Sequence, residues 1–351
     1  RPDNLIMTAT HTHTAPEVRI SRGAVDPAYI PAVAAKTVEA LREAMADMVE
    51  GELAGGMARD GRFLFNRRYW MKDGSVMTNP GKLNPDIRTS EGDIDPEIPL
   101  LAIRRNGQIK VLLANIVNHA DTIGGGNVSG DWPGFTIRAL QSRLGEGSMV
   151  LPLIGCAGNI NHFDVSSAAP QTQYAEAERI GKGYADTIWQ ALPSLNPFDA
   201  PLHTAGKTIQ VGPRHPGERE VAEAQAVMDR YPELEVVGVS GTDLTAEDLA
   251  RKTPFALKYF AYHLLNTQTN REPLDYHLTG IFFGDAVVIA SLPCEPFVEI
   301  GLALRKDIFH DRLAFVVSHG NGTGSSECGG GYIPNPWNYG RGGYETTPRS
   351  N

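Results

Sequence analysis

The sequence predicts a mixed α+β fold, layered β-sheets flanked by helices, with a helical insertion over residues 213 to 268. Short apolar runs of strand length interleave with stretches of helical periodicity along the whole chain, which argues against a bundle or a β-sandwich. Asn106-Gly107 and Gly284-Asp285 separate pairs of apolar runs as hairpin turns do. The chain has 351 residues, 41% of them hydrophobic, enough for a substantial core in one large domain or two smaller ones.

Near the start, Leu5-Ile6-Met7 reads as a strand that runs into Thr10-His11-Thr12-His13-Thr14. Side chains two apart on a strand share a face, so His11 and His13 would emerge together where it ends. Ile30, Val33, Ala34, Val38, Leu41, Met45 and Met48 then recur at helical spacing, with Asp26 as cap and Pro27 at the first helical position. Residues 55 to 96, rich in Gly, Asn, Asp and Pro, read as a long surface excursion with short strands. The hairpin 100 to 117 comes next, and its second strand runs straight into Asn118-His119.

Asp131-Trp132-Pro133 opens a helix through Ile137, Leu140 and Leu144, with Asp131 as its cap. Strand Met149 to Ile154 ends in Gly155-Cys156-Ala157-Gly158-Asn159-Ile160-Asn161, and Ile180, Tyr184, Ile188 and Leu192 mark another helix. Two charged amphipathic helices around the turn-rich Val237 to Gly241 form the insertion. The hairpin 278 to 291 leads to Pro293-Cys294-Glu295-Pro296, a helix through Ile300 and Leu304, and strand Leu313 to Ser318. From Gly320 to Gly343 the composition is that of a loop.

A net charge of -9 without a long basic run argues against a nucleic-acid partner held through phosphates. No apolar stretch approaches the roughly 20 residues of a membrane-spanning helix. The three cysteines, Cys156, Cys294 and Cys328, allow at most one disulfide and have no thiolate-zinc spacing. The opening Arg1-Pro2-Asp3 carries no leader, and a core strand expected so close to it makes the first residue read as a cut end, silent on compartment.

Potential ligands thus gather at separate strand ends: His11 and His13, His119, and Glu295, with Tyr332 and Tyr344 in the glycine-rich tail. Two imidazoles and a carboxylate are a common catalytic zinc set. Met7-Thr8-Ala9-Thr10-His11-Thr12-His13-Thr14-Ala15-Pro16 resembles the signature of the neutral ceramidase family, whose catalytic domain is a zinc amidase. Asn66-Arg67, Val117-Asn118-His119, Ser129 to Gly134, Leu292 to Phe297, and Gly331-Tyr332-Ile333 with Tyr344-Glu345 resemble further elements of that family in the same order.

The resemblance implies a single catalytic domain over residues 1–351; the expected lack of the C-terminal immunoglobulin-like domain of full-length ceramidases is a departure from the family, one that argues against ceramide itself as the substrate. The resemblance also implies one zinc ion per chain held by His11, His119, Glu295 and Tyr332, with His13, Arg67 and Tyr344 around the substrate carbonyl. His13 would relay a proton to the leaving group, and Arg67 and Tyr344 would donate to a developing oxyanion. A periplasmic or secreted location goes with the family; oligomeric state stays open.

Each role has a plainer competitor. Glu295 suits a cap for the next helix, Tyr332 suits a packed loop aromatic, and Arg68 competes with Arg67 for the inward position. Asp131, a helix cap first, also suits a hydrogen bond to a ligating histidine. The clearest departure is at Asn161, where the family carries the serine proposed as nucleophile. Asn161 cannot form an acyl-enzyme but suits a hydrogen-bond donor to substrate, and attack by zinc-activated water survives the change. Cys156 is expected to be packed rather than nucleophilic, His162 lines the pocket or faces solvent, and His203, His215, His263, His277, His310 and His319 are read as structural. The expected function is zinc-dependent cleavage of an amide or ester in a small-molecule or lipid-like substrate. The alternatives are a metallohydrolase for a small polar or sugar-linked substrate and an inactive zinc-containing binding protein.

Overall fold

The computed structural model describes residues 4–16, 26–212, 215–237, 248, 252–269, 273–321 and 331–346. Its class is the mixed α+β one that the sequence predicts. A five-stranded sheet has the order Asn196–Phe198, Glu52–Arg59, Glu97–Arg105, Gln108–Ile116, Met149–Ile154, antiparallel except for its last pair. A four-stranded sheet has the order Leu202–Val211, Leu274–Phe283, Val287–Ser291, Leu313–Val317, again with only the last pair parallel.

Alternation along the strands makes the layers. Leu100, Ala102, Leu112, Ala114, Ile116, Val150 and Ile154 face helices Asp131–Leu144 and Gln173–Ala191, whose Trp132, Leu140, Ile180, Tyr184 and Ile188 complete the larger core. Leu101, Leu113 and Leu153 point the other way, onto Val287, Ile289, Phe315 and Val317 of the second sheet. Burying such a side chain is worth about 1.5–3 kcal/mol, so the middle sheet gains on both faces. Asn106 and Gly107 both have positive φ, 52° and 73°, as a two-residue hairpin turn between Arg105 and Gln108 requires.

Two expectations are corrected. Residues 55 to 96 begin inside a core strand, because Glu52–Arg59 pairs along its length with Glu97–Arg105. Its glycines mark close packing rather than a loop: a Cβ would lie 2.9 Å from Leu313 Cδ2 at Gly55 and 2.7 Å from Leu195 Cδ2 at Gly56. The rest of that segment forms a small sheet of Val76–Thr78, Arg68–Met71 and Ile87–Ser90, with Arg68, Tyr69, Met71 and Val76 buried. Leu5-Ile6-Met7 forms no strand; one bridge, Thr8 to Gly320, stands in its place.

The helix expected after Asp26 does form, as Tyr29–Ala46, with Asp26 Oδ1 accepting from the Ala28 N–H. It starts two residues beyond Pro27, and its apolar stripe is uncovered, with Met45 70% exposed. Among its described residues the insertion holds helices Glu218–Arg230 and Pro254–Thr269, with Val236, Ala256 and Tyr259 packed together. It leaves the second sheet at Val211 and re-enters at Leu274, which are partners in register. The turn expected at Gly238 to Gly241 lies outside the described residues, as does Cys328.

The two parallel pairs meet end to end. Gln108–Ile116 runs beside Met149–Ile154, and Val287–Ser291 beside Leu313–Val317. The Ser318 N–H donates to Ile154 O, its hydroxyl to Gly155 O, and the Val316 N–H to Asn115 Oδ1. The segments leaving these strands therefore emerge at one place.

Close approach of the two core helices supplies a test. A Cβ on Gly181 would lie 2.5 Å from Phe135 Cβ and 2.6 Å from Trp132 O. Gly181→Ala should destabilise the protein by about 1–3 kcal/mol in urea unfolding. Gly124→Ala, where a Cβ meets nothing within 4 Å, should stay within about 0.5 kcal/mol of the parent.

Candidate metal centre

His119 emerges just beyond strand Gln108–Ile116 and is fixed by its surroundings. The preceding Asn118 donates to Phe63 O and the Tyr184 hydroxyl, and the Trp132 indole N–H donates to His119 O at 2.7 Å. His119 Nδ1 lies 2.8 Å from Ala157 O and 3.1 Å from Ile160 O, so Nδ1 carries the hydrogen. In the neutral ring Nε2 is then a bare lone pair.

That lone pair faces Glu295 Oε2 at 3.3 Å, and His11 Nε2 lies 3.4 Å from the same oxygen. Neither His119 Nε2 nor Glu295 Oε2 makes a hydrogen bond, although both atoms are buried. Two acceptors held together in a buried place repel unless a cation joins them. His13 Nε2 lies 3.3 Å from His11 Nε2, and the ligand nitrogens of His11, His13 and His119 all lie within 4.8 Å of one another. The donor set, imidazole nitrogens with a carboxylate, fits zinc.

Electrostatics express the same crowding. Burial works against the Glu295 charge, but His11 and His119 outweigh it and hold this carboxyl well below the usual range. Burial also opposes a charge on His11, and Glu295 outweighs it, so the His11 pKa is raised. His13 stands at the solvent edge; burial of its inner side, with His119 and His11 adding to it, pushes its pKa down against the pull of Asp121.

His11 and His13 converge for a reason other than strand alternation. His11 has a positive φ of 57°, and the His13 N–H is tied to Ala120 O. A turn brings them together. Glu295 follows Cys294, itself at φ 64°, and pairs in register with Tyr332 between the short strands Glu295–Pro296 and Tyr332–Ile333. Burial and the nearby Glu295 push the Tyr332 phenol well above the ordinary tyrosine range. Its ring centre lies 5.2 Å from Arg67 Cζ and 5.7 Å from the Tyr344 ring, so these three side chains share a wall.

Both arginines turn inward. Arg67 falls between two short strands, so the expected alternation with Arg68 does not apply. Arg67 Nε donates to Glu345 Oε1 at 2.8 Å and Nη2 to Gly158 O at 2.6 Å. Arg68 Nη1 donates to Glu345 Oε2 at 2.8 Å and pairs with Glu91. Asp131 is tied up at the helix start, where it accepts from the N–H groups of Ile123 and Trp132, and the partners of His119 Nδ1 are carbonyls instead.

Asn161 has a local job. Its Nδ2 donates to Asn79 Oδ1 at 3.0 Å and its Oδ1 accepts from the Phe163 N–H at 3.1 Å, which is how an asparagine holds a turn. Cys156 and Cys294 are both buried, and burial pushes the Cys156 thiol up to about 12, so it is a packed residue.

The sequence reading passed over Asp121, took His319 as structural and left His162 between lining the pocket and facing solvent. His319 stacks on His11, and burial, with His11 beside it, pushes its pKa down to about 3. It lies just beyond the strand that ends at Val317, the signal that singled out His119. His162 donates from Nδ1 to Asp121 Oδ1 at 3.0 Å and from Nε2 to Gln171 O at 2.7 Å, so it is a cation paired with Asp121. Burial opposes both charges, but their pairing raises the His162 pKa and lowers that of Asp121. A residue two after His119 and another next to Asn161 carried no pattern of their own.

Solved structures share this architecture. A ceramidase complexed with C2 superposes with a TM-score of 0.67 at 15% identity, covering 98% of this chain and 58% of that one. The fold is that of the neutral ceramidases. A neutral ceramidase from Pseudomonas aeruginosa matches with a TM-score of 0.64 at 14% identity, over 98% of this chain and 57% of its own. The chain thus spans somewhat over half the length of either ceramidase. No protein-family model and no curated protein matches the sequence.

Glu345 offers a test of the wall. Burial raises the cost of its charge, but Arg67 and Arg68 outweigh this and hold the carboxyl below the ordinary range. Its contribution is present above the unfolded glutamate value of about 4.3 and lost as pH falls through the lower folded value. Glu345→Gln should destabilise by about 3–5 kcal/mol at neutral pH, since buried Arg67 loses its paired carboxylate and Arg68 keeps only Glu91. The difference should shrink on acidification, read by urea unfolding as a function of pH. Equal stability at neutral pH would remove Glu345 from its role.

Proposed function

We propose that the chain is a zinc-dependent hydrolase that cleaves an amide (N-acyl) or ester bond in a small-molecule or lipid-like substrate. One observation carries the reading: a buried imidazole lone pair on His119 and a buried carboxylate oxygen on Glu295 face each other without a partner, 3.3 Å apart. His11, His119 and Glu295 would hold the ion, with the Tyr332 phenol as fourth ligand. Bound there, zinc supplies a Lewis acid and water of pKa about 7.

The protein's own groups do the rest. Carbonyls of Ala157 and Ile160 lock the His119 tautomer, so Nε2 is kept for ligation. His13, at the open edge beside His11, takes a proton from the attacking water and returns one to the leaving nitrogen or oxygen. Arg67 and Tyr344 stabilise the oxyanion. Arg67 spends Nε and Nη2 on Glu345 and Gly158, which fixes the guanidinium and leaves Nη1 as its donor. Asn161 takes no step, because its amide holds a turn, and with no serine at this position attack is direct. The ceramidase fold makes N-acyl substrates the first class to try.

Elemental analysis of protein purified without chelator should find about one zinc per chain, and His11→Ala or His119→Ala should strip it. Full zinc occupancy in the variant lacking both histidines would sink the ligand set. Turnover across a panel of N-acyl and ester substrates should vanish on dialysis against chelator and return with zinc. No turnover with zinc bound would mark a binding protein instead. Asn161→Ala should cost about 1 kcal/mol of stability and leave the rate within about threefold; a hundredfold loss of rate in a folded variant would restore it as an oxyanion donor.

A further inference from the structure

His11 is the ligand with the least regular support, and what holds it is residues 318 to 321. No strand carries the segment before it, and His11 itself sits at positive φ. On one side of the splint, Thr8 Oγ1 donates to Ser318 O at 3.0 Å and the Asn321 N–H to Met7 O at 2.8 Å. Asn321 Oδ1 accepts from the Met7 N–H at 2.8 Å, and its Nδ2 donates to Leu5 O at 3.1 Å. On the other side, the His319 N–H donates to Cys294 O at 3.1 Å and the Gly320 N–H to Leu292 O at 2.9 Å. Four residues thus tie the His11 segment to the Glu295 segment.

The His319 ring completes the tie. Its centre lies 4.2 Å from that of His11 with the planes 15° apart, whereas His13 and His119 meet His11 edge-on at 87° and 78°. Among the described rings, only that of His319 lies parallel to His11. A ring stacked on one face cannot tilt out of its plane without losing the contact, which spares that freedom from being lost on ligation.

We infer that His319 is a positioning residue of the metal centre, whose ring stacks on His11 and aims its Nε2 at the metal position beside Glu295. The inference rests on the zinc reading above and concerns the face of the ring, not its nitrogens. Zinc affinity should be read directly, by competition with a chromophoric chelator, on the full chain with folding checked by circular dichroism. His319→Ala should weaken zinc binding by about 10–100-fold, as loss of groups that orient ligands does. His319→Leu, which fills the space without a flat face, should be similarly weak, and His319→Phe should recover to within about threefold of the parent. If His319→Ala does not fold, the comparison of Leu with Phe decides. Parent-like affinity in folded Ala and Leu variants would overturn the inference while leaving the zinc reading intact. A Phe variant as weak as Leu would also overturn it, pointing to an imidazole nitrogen. Absence of zinc binding by the parent would overturn both readings.

Discussion

The carboxylate of Glu295, shared between His11 and His119, is the constraint to which the rest of the centre answers. An anion in a buried place needs a counter-charge close by, and the imidazoles set within 3.4 Å of Oε2 are neutral acceptors unless they take up a proton. Because His119 Nδ1 is committed to two carbonyls, its ring cannot flip to offer Glu295 an N–H in the neutral form. The arrangement suits a cation.

Such an arrangement is costly, and the scaffold has to withstand it. Four strands from two sheets end together, sealed by Ser318 on Ile154 and Gly155 and by Asn115 on Val316. The middle sheet is packed on both faces, so these ends are anchored to the deepest part of the core. The donor residues themselves sit on short irregular segments just beyond, where backbone at positive φ turns His11 and Cys294 toward one another's neighbours. Rigid strands carrying irregular ends allow donors from distant parts of the chain to meet.

A second cluster of charge stands behind the first. Glu345 bridges Arg67 and Arg68, Glu91 pairs with Arg68 as well, and Asp121 pairs with His162. Each pair is buried, so neither is a source of much net stability; what they provide is orientation. Arg67 is held with Gly158 and Glu345 so that it packs over Tyr332, while the Asp121 carboxylate brings negative charge near His13. Both buried ionic clusters thus adjoin the His11, His119 and Glu295 group.

Sequence alone determined the class of the fold and the gathering of donors. Alternation and helical periodicity are local properties, and they named the strands whose ends deliver His119 and Glu295. Order of short motifs added Arg67, Tyr332 and Tyr344. Where the reading missed, the deciding contact was distant. Gly55 and Gly56 lie in a strand because Leu313 and Leu195 press on them, and Leu5-Ile6-Met7 is no strand because its partner is a short loop at residues 320 and 321. Arg68 turned inward because Glu345 lies 277 residues away in the chain and 2.8 Å away in space. Asn161 is held to its turn by Asn79, and His319 came to lie on His11 across most of the chain's length. Local pattern shows which residues are able to form a site; which of them do is decided by packing between segments, because the electrostatic and steric partners that orient a side chain are rarely its neighbours in sequence.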